Sequence, residues 1–403
     1  MAELSFKTLS FKQEGSKIKV NFLKIFYFYL DDKLLSKIGD FKIKDSSIIF
    51  EKTPEKRAER KFNSLLAEGF KDLKNTISGK KTIYIHKNSG IPLIGSNSFG
   101  IVDRNTSIID VRPITSCNLN CIFCSVDAGL SSRNQVDFVV EREYLVEEFK
   151  KLVDFKGCDV EVHLGTQGEP LLYAEIIELI KDLSSIKKVK TISMDTNGTL
   201  LTEELVDKLA EAGLTRINLS LNAMDKNLAR KLAGCKYNLD KIKETASYIA
   251  KKMELAIAPV LVPGFNDDAM EKLINFAKKM KGDRKGYFIG IQNFLNYRFG
   301  RNPCKQLSWD KFYLMMKDLE KKTNTKLIIG PEDFNIQKTK KLPKPFKKGQ
   351  IIKAEILCPG RLKNEMLAVA SNRVISIPTC FKKGIVKIRI TRTKHNIFMG
   401  RLV

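Results

Sequence analysis

The chain has 403 residues, of which 43% are hydrophobic and 29% charged, and its formal net charge is +25. This composition indicates a globular protein long enough for two or three domains. The longest stretch without a charged residue, 88–102, holds 15 residues, whereas a membrane-spanning helix needs roughly 18 or more. We therefore exclude an integral membrane protein. Because no secretory signal is visible at the start, we expect a reducing, cytoplasmic setting.

The first two parts of the chain differ in pattern. Residues 1–100 mix strand-like runs with one helical stretch, 53–75, and predict an N-terminal α+β domain of unknown role. Residues 101–335 alternate apolar strand-like runs with amphipathic helical patterns, six times in succession. This alternation predicts a parallel sheet with helical crossovers. Both an open doubly wound sheet and a partial barrel have this alternation of strands and helices. In both, the reactive groups collect at the carboxyl ends of the strands.

Three of the eight cysteines lie within eight positions directly after the first of these strands, in Cys117-Asn-Leu-Asn-Cys121-Ile-Phe-Cys124. Three thiolates on one short loop can hold a four-iron cluster and leave one iron open to bind a further ligand. A structural zinc ion is the alternative. It would need a fourth Cys or His nearby, and none follows within 30 residues.

In this α/β context the triplet resembles the signature of the radical S-adenosylmethionine (SAM) superfamily. The resemblance implies a (βα)6 partial TIM barrel and a [4Fe-4S] cluster held by Cys117, Cys121 and Cys124, with SAM on the open iron. It also implies that an electron donor, as yet unidentified, drives cleavage of SAM to a 5′-deoxyadenosyl radical that abstracts hydrogen. Phe123 occupies the position that packs near the adenine in this superfamily.

Polar groups recur where the later strands are predicted to end. Gly168 and Glu169 resemble the superfamily's Gly-Gly-Glu motif, with Gln167 in place of its first glycine, and the likeness implies that Glu169 binds the methionine amine. The further candidates for cofactor binding, at the ends of strands three to six, are Asn197, Ser220, Asn222, Asn266 and Gln292. A helix-capping role is the alternative for Asn222 and Asn266.

The cysteines outside the triplet bear on the type of reaction. Cys304 follows the sixth predicted strand and is the candidate catalytic thiol on the substrate side. The RNA methylthiotransferases of the same superfamily hold a second cluster with three cysteines in an N-terminal domain. Residues 1–116 contain no cysteine, which disfavours sulfur insertion. We therefore favour methylation or another change at carbon.

Residues 336–403 hold 17 Lys and Arg against two acidic residues, together with five short strand-like runs. They predict a small all-β barrel whose charge suits a polyanion such as RNA, with a solvated basic tail as the alternative. The segment resembles a TRAM domain, a module that binds tRNA and other structured RNA, and the whole chain resembles archaeal-type iron–sulfur oxidoreductases. The candidate RNA-binding residues are Lys347, Lys348, Lys353, Arg361, Arg373, Lys382, Lys383, Arg389, Arg392 and Lys394.

The sequence thus predicts an α/β radical SAM enzyme, with methyltransferase activity as one possibility, that modifies a nucleoside in structured RNA, with tRNA the favoured substrate. Two alternatives remain at this point. One is a radical SAM enzyme that acts on a protein or peptide. The other is a non-catalytic RNA-binding protein whose iron–sulfur cluster is structural or senses redox state.

Overall fold

The computed structural model describes residues 1–165, 167–282 and 288–403. An N-terminal part with two sheets is followed by a central parallel sheet with helices and by a closed C-terminal barrel. A continuous apolar core runs through the first two parts, and the barrel has a smaller core of its own. Among the described residues, no helix combines the length and apolar character needed to cross a membrane.

The N-terminal part is built from short strands and two helices within residues 1–85, all of which the structure describes. Its strands are β1 (Ala2–Ser5), β2 (Leu9–Glu14), β3 (Lys17–Phe22), β4 (Phe26–Asp31), β5 (Phe41–Ile43), β6 (Ser47–Phe50), β7 (Lys74–Asn75) and β8 (Lys81–Ile85). Its helices are α1 (Asp32–Ser36) and α2 (Glu55–Phe70). In α2 the buried residues Ala58, Phe62 and Leu66 recur every four positions, which places them on one face of the helix. The helix predicted over 53–75 is therefore confirmed, and it is shorter than predicted at both ends.

The central part alternates strands and helices. Its strands are β9 (Gly100–Asp103), β10 (Ile108–Arg112), β11 (Val136–Val140), β12 (Val160–Leu164), β13 (Val189–Thr196), β14 (Arg216–Leu219), β15 (Glu254–Ile257), β16 (Val260–Leu261) and β17 (Gln292–Asn293). Its helices are α3 (Arg142–Lys156), α4 (Ile176–Ser184), α5 (Glu203–Glu211), α6 (Lys226–Ala233), α7 (Leu239–Lys252), α8 (Met270–Lys281) and α9 (Trp309–Thr323).

The central sheet has the order β15-β14-β13-β12-β10-β9, parallel from β10 to β15, with β9 antiparallel at its edge. The fifth predicted strand is split into β15 and β16, and β16 pairs in parallel with β17 of the sixth. A parallel bridge between Ile257 and Ile289 continues this pairing. Tyr287, with which the predicted sixth strand begins, lies outside the described residues. The successive parallel strands confirm the α/β prediction and are consistent with a partial TIM barrel.

Strand β11 does not join the central sheet. It pairs in parallel with β8, so that the N-terminal sheet has the order β11-β8-β7-β4-β3-β2. The chain therefore leaves β10, passes through residues 113–135, which we name the cysteine loop, enters the N-terminal sheet and returns through α3. Two different sheets thus hold the two ends of the cysteine loop.

The C-terminal strands close into a barrel in the order β18-β19-β20-β22-β21. They are β18 (Ile351–Pro359), β19 (Met366–Ala370), β20 (Arg373–Ile377), β21 (Gly384–Arg392) and β22 (Phe398–Leu402). Alternate side chains such as Ile375, Ile388 and Phe398 fill its interior. The predicted small all-β barrel is confirmed, and the alternative of a solvated tail is wrong.

The barrel is docked on the preceding part of the chain through backbone hydrogen bonds. The amide of Val374 donates to the carbonyl of Ile94 at 3.0 Å, and the amide of Phe398 donates to the carbonyl of Gly95 at 2.9 Å. Gly95 has φ +130°, and a Cβ there would lie 2.2 Å from the Val374 oxygen. Only glycine permits so close an approach.

Candidate active site

A cavity of about 330 Å³ lies where the cysteine loop meets the carboxyl ends of the central strands. Its walls come from the cysteine loop and from the segments that follow β12, β13, β14 and β17. The predicted site residues that line it are Cys117, Cys121, Phe123, Cys124, Gly168, Glu169, Asn197, Ser220, Asn222 and Gln292. Residues more than 170 positions apart in sequence therefore share one wall, as expected when parallel strands end at one edge of a sheet.

Two predicted site residues do not line this cavity, Asn266 and Cys304. Asn266 is 1% exposed. Its Nδ2 donates to the carbonyls of Asn222 and Val260, both at 2.9 Å, and its Oδ1 accepts from the amide of Val262 at 2.7 Å. The prediction that Asn266 binds the cofactor is therefore corrected, because its amide is already used to hold the neighbouring backbone. Cys304 lies in the segment after β17, where its carbonyl accepts from Asn296 at 2.9 Å.

Asn222 lies in the cavity wall and is held from two sides. Its Oδ1 accepts the amide of Val260 at 2.8 Å, and its carbonyl accepts from Asn266. These bonds tie the end of β14 to the start of β16. Asn266 thus positions Asn222, although it does not face the cavity itself.

The three thiols of the cysteine loop are partly buried. Burial raises the pKa of Cys117 well above its usual value and that of Cys121 to about 12. Such thiols stay protonated near neutral pH unless a metal displaces the proton. The Sγ of Cys124 accepts the amide of Ala128 at 3.3 Å, a bond of the kind that tunes iron–sulfur clusters. The donor set therefore fits a thiolate-bound iron cluster.

A single zinc ion would bond each thiolate at about 2.3 Å and would need a fourth Cys or His ligand. In residues 1–165, 167–282 and 288–403, no three Cys, His, Asp or Glu side chains form a group that could hold one metal ion.

Glu169 is a buried carboxylate at the edge of the cavity, 1% exposed. It accepts from Oγ1 of Thr196 at 2.7 Å, from the amide of Asn197 at 2.8 Å and from the amide of Leu171 at 3.1 Å. No Lys, Arg or His side chain in the described parts of the chain pairs with it. Burial raises the pKa of Glu169 to about 7, although these hydrogen bonds oppose the shift. A cationic ligand such as an ammonium group would supply the missing counter-charge.

The loop that carries Glu169 packs directly on the cysteine loop. The amide of Glu169 donates to the carbonyl of Ser116 at 2.8 Å. Gly168 has φ +82°, and a Cβ there would lie 2.3 Å from the same oxygen. Glycine at this position therefore serves the close contact of the two loops, and it places the carboxylate beside the thiols.

Arg301, which the sequence prediction missed, clamps the cysteine loop from the segment after β17. Its Nε donates to Oδ1 of Asp127 at 2.6 Å, and its Nη1 donates to Oδ1 of Asn120 at 2.6 Å and to the carbonyl of Cys121 at 3.2 Å. Its amide donates to the carbonyl of Cys124 at 2.9 Å. One arginine thus holds the backbone at two of the three predicted ligands. No motif marks this residue in the sequence.

The N-terminal part holds the other end of the cysteine loop. The buried Nδ2 of Asn75 donates to Oγ of Ser116 at 2.6 Å and to Oδ2 of Asp137 at 2.9 Å. Oγ1 of Thr115 donates to Oδ1 of Asp137 at 3.2 Å. The N-terminal part, for which the sequence suggested no role, therefore positions the residues just before Cys117.

A polar pair lies between neighbouring central strands at the inner end of the cavity. The Nε2 of His163 contacts Oδ2 of Asp195 at 3.1 Å, and its Nδ1 contacts Oγ of Ser193 at 2.9 Å. Burial alone would lower the pKa of His163, but the charge of Asp195 raises it to about 8. Asp195 lines the cavity, so a carboxylate that is paired with His163 faces any ligand there.

The basic residues of the barrel divide by exposure. The exposed candidates are Lys347, Lys348, Lys353, Lys382, Lys383, Arg392 and Lys394. Arg373 and Arg389 are half-buried. Arg361 is 3% exposed and donates to Gln167 and to the carbonyl of Thr115. The prediction that Arg361 contacts phosphate is therefore corrected, because its guanidinium points into the protein beside the cysteine loop.

Comparison with known proteins agrees with this geometry. Residues 111–277 match the model of the Radical SAM superfamily. The chain is 42% identical over 392 residues to the uncharacterised protein MJ0103 of Methanocaldococcus jannaschii, with 89% of this chain and 90% of that protein covered. It is 29% identical over 221 residues to a GTP 3′,8-cyclase of Thermodesulfovibrio yellowstonii, with 54% of this chain and 62% of the cyclase covered.

Solved structures resemble the chain only distantly. The structure of TYW1 with a lysine-pyruvate adduct is 22% identical, covers 57% of this chain and 78% of its own, and has a TM-score of 0.40. A likeness at that level says nothing about substrate.

Proposed function

The chain belongs to the radical SAM superfamily and to one family with MJ0103, and from that premise we propose that it modifies a nucleoside of structured RNA. The favoured RNA is tRNA, and the favoured reaction is methylation or another change at carbon. A [4Fe-4S] cluster and SAM are the cofactors of the superfamily. In this proposal Cys117, Cys121 and Cys124 hold the cluster.

One observation carries the catalytic part of the proposal. A single cavity brings together three cysteine thiols and a buried carboxylate, Glu169, that has no cationic partner among the described residues. Three thiol ligands leave a four-iron cluster with an open coordination position. A carboxylate next to that position suits the ammonium group of an amino acid. SAM carries such a group on the α-carbon of its methionine part.

When bound, the cluster and SAM together supply one-electron cleavage of the sulfonium and a radical that removes hydrogen. The side chains of this protein bind and orient. Glu169 accepts the ammonium group, and Asn222 and Ser220 offer polar atoms at the end of β14. Phe123, between two of the thiols in sequence, provides an apolar surface in the cavity wall. Glu169 is buried, and Phe123, Ser220 and Asn222 are half-buried, so this wall limits the access of water, which would otherwise compete for a reactive intermediate.

The barrel supports the assignment to RNA. It carries most of the positive charge of residues 336–403, which contain 17 Lys and Arg and only two acidic residues, Glu355 and Glu365. Phe381 is 75% exposed and directly precedes the exposed Lys382 and Lys383. An exposed ring beside two cations suits an unpaired base and its phosphates.

The segment after β17, which reaches the cavity at Tyr297, has a similar character. Tyr297 lines the cavity and is 49% exposed. The exposed Arg298 lies over the ring of the exposed Phe299, 5.1 Å from its centroid. A base turned out of a folded RNA could stack on these rings while it enters the cavity. This supports a target in a loop or at an unpaired position.

Two measurements test the proposal. Anaerobically reconstituted full-length protein should convert SAM to 5′-deoxyadenosine when reduced, and the yield should rise when total tRNA is added. Deleting the gene should remove or change one modified nucleoside of total tRNA, detected by mass. SAM cleavage without any change in tRNA nucleosides would refute the assignment to tRNA and leave the radical SAM assignment intact.

A free nucleotide is the second candidate, because a GTP 3′,8-cyclase is among the relatives by sequence. The same assay distinguishes it: GTP in place of tRNA would then raise the yield of 5′-deoxyadenosine. The basic barrel favours the polymer, since a mononucleotide offers it few phosphates.

A further inference from the structure

Arg361 lies in the connection between β18 and β19, and barrel docking inserts it into the core of the molecule. The amide of Gln135 donates to its carbonyl at 2.7 Å, and the Nε2 of Gln135 donates to the carbonyl of Gly360 at 3.3 Å. Its guanidinium donates to the side chain of Gln167 and, at 3.2 Å, to the carbonyl of Thr115. Thr115 lies two residues before Cys117, and Gln167 lies two before Glu169. The C-terminal barrel thus touches both loops that build the site.

The charge of Arg361 has no close carboxylate partner. No Asp or Glu oxygen in the described parts of the chain lies within 4.0 Å of its guanidinium nitrogens. A cation that is 3% exposed and unpaired is costly. Burial lowers its pKa, and the groups whose negative charge opposes this shift are, in order, Asp137, Cys124, Cys117 and Asp127. Two of these four are predicted cluster ligands.

We propose that Arg361 is the electrostatic partner of the iron–sulfur cluster, so that the docked barrel sets the cluster's reduction potential. This inference rests on the proposed cluster site. Three thiolates give the cluster a negative environment, and reduction adds one more negative charge. A fixed cation nearby stabilises the reduced form more than the oxidised form, since net charge and hydrogen bonding set such potentials. Arg361 is a positioning residue in this role, because it contacts the loops rather than the reacting atoms.

The proposal also gives the barrel a second role. Most of the basic side chains of the barrel are exposed to solvent, whereas Arg361 of the same barrel is buried against the cysteine loop. A displacement of the barrel would withdraw the cation from the site. The module proposed to hold the RNA would then also control how readily the cluster accepts an electron.

Redox titration of full-length, reconstituted protein, followed by electron paramagnetic resonance, tests this inference. Arg361→Gln retains a hydrogen-bond donor but removes the charge. We expect its ratio of reduced to oxidised cluster, at a fixed applied potential, to fall about tenfold, which corresponds to about 59 mV toward more negative values. Arg361→Lys retains the charge and should stay within about threefold of the wild type. Lys363→Met removes an exposed charge two residues away and should change nothing.

Each outcome decides the matter. If Arg361→Gln holds a full cluster with the wild-type potential, Arg361 does not tune it and the proposal is wrong. If Arg361→Gln holds no cluster, the Arg361→Lys variant decides. A tenfold change in its ratio of reduced to oxidised cluster would show that the hydrogen-bond geometry of Arg361 matters and its charge does not, and the proposal would be wrong. A wild-type protein that binds no iron would instead refute the proposed function.

Discussion

Asp127 accepts hydrogen bonds from two arginines, Arg133 of the cysteine loop itself and Arg301 of the segment after β17. Its Oδ1 accepts Nε of Arg301 at 2.6 Å, and its Oδ2 accepts Nε of Arg133 at 2.9 Å. Both the carboxylate and Arg301 are largely buried, whereas Arg133 is exposed. Since Arg301 also holds the backbone at Cys121 and Cys124, the pair fixes the shape of the loop before any cluster binds.

Replacing Arg301 by methionine should therefore loosen the loop and weaken cluster retention. The change leaves a buried carboxylate without its main partner, which costs about 3 kcal/mol of unfolding free energy. We expect this loss in chemical denaturation of the iron-free protein, together with lower iron content after reconstitution.

The matched control for Arg301 is Arg298→Met. Arg298 is exposed and packs over Phe299, so its loss should leave stability and iron content near the wild-type values. The double variant Arg301→Met, Asp127→Asn should lose less than the sum of the single variants, because both remove the same interaction. Additive losses would show that the two side chains do not act as a pair.

Glu169 should make the ligand-free protein less stable as the pH rises. Its pKa lies near 7 in the fold against 4.5 in the unfolded chain, so the folded state binds more protons between those values. The unfolding free energy therefore falls as the pH rises from about 4.5 to about 7. At about 1.4 kcal/mol for each pKa unit, the full penalty is ~3 kcal/mol above pH 7.

Glu169→Gln removes that penalty and tests both roles of the carboxylate. At pH 8 the ligand-free variant should be more stable than the wild type, and the difference should shrink below pH 5. Its affinity for SAM, measured by calorimetry on the reconstituted protein, should fall at least tenfold. A variant that binds SAM normally would mean that the ammonium group is held elsewhere.

The cysteine assignment is testable by iron content. The triple variant Cys117→Ala, Cys121→Ala, Cys124→Ala should bind no iron after anaerobic reconstitution and should lack the visible colour of an iron–sulfur protein. Cys158→Ala is the control, because that thiol does not line the cavity. Equal iron in the triple variant and the control would exclude the proposed ligand set.

Periodicity made much of this architecture predictable. Strands that are apolar on both faces and helices with one apolar face specify a parallel α/β sheet, and alternating residues in 351–402 specify the barrel. The cysteine spacing and the polar strand ends then located the cavity. These signals are local in sequence, which is why they could be found without a structure.

The features that the sequence did not predict are contacts between segments that are distant in sequence. Val136–Val140 is apolar except for Asp137, and its pattern does not tell which of the two sheets it joins. Asn266 ends a strand just as Asn222 does, but only the fold shows that one amide holds backbone while the other lines the cavity. Arg361 lies among surface lysines in sequence, so composition suggested phosphate binding. Burial of an individual charge depends on docking, which no local pattern records.

The exposed lysines of the barrel should contribute to RNA affinity through counterion release. Lys382 and Lys383 follow the exposed Phe381. If each neutralises one phosphate, the double variant Lys382→Gln, Lys383→Gln should reduce the slope of log affinity against log salt by about 1.4 for single-stranded contacts and about 1.8 for duplex contacts. Filter binding or fluorescence anisotropy of full-length protein with tRNA, over a range of salt concentrations, measures this slope.

The control for the lysine pair lies on α8, where Lys272 and Lys279 are also exposed. Their replacement by glutamine changes the net charge of the protein by the same amount. It should lower the affinity slightly through the long-range field and leave the slope nearly unchanged, since neither residue belongs to the barrel. If both pairs reduce the slope equally, the RNA follows the overall charge of the molecule, and the barrel is not its docking surface.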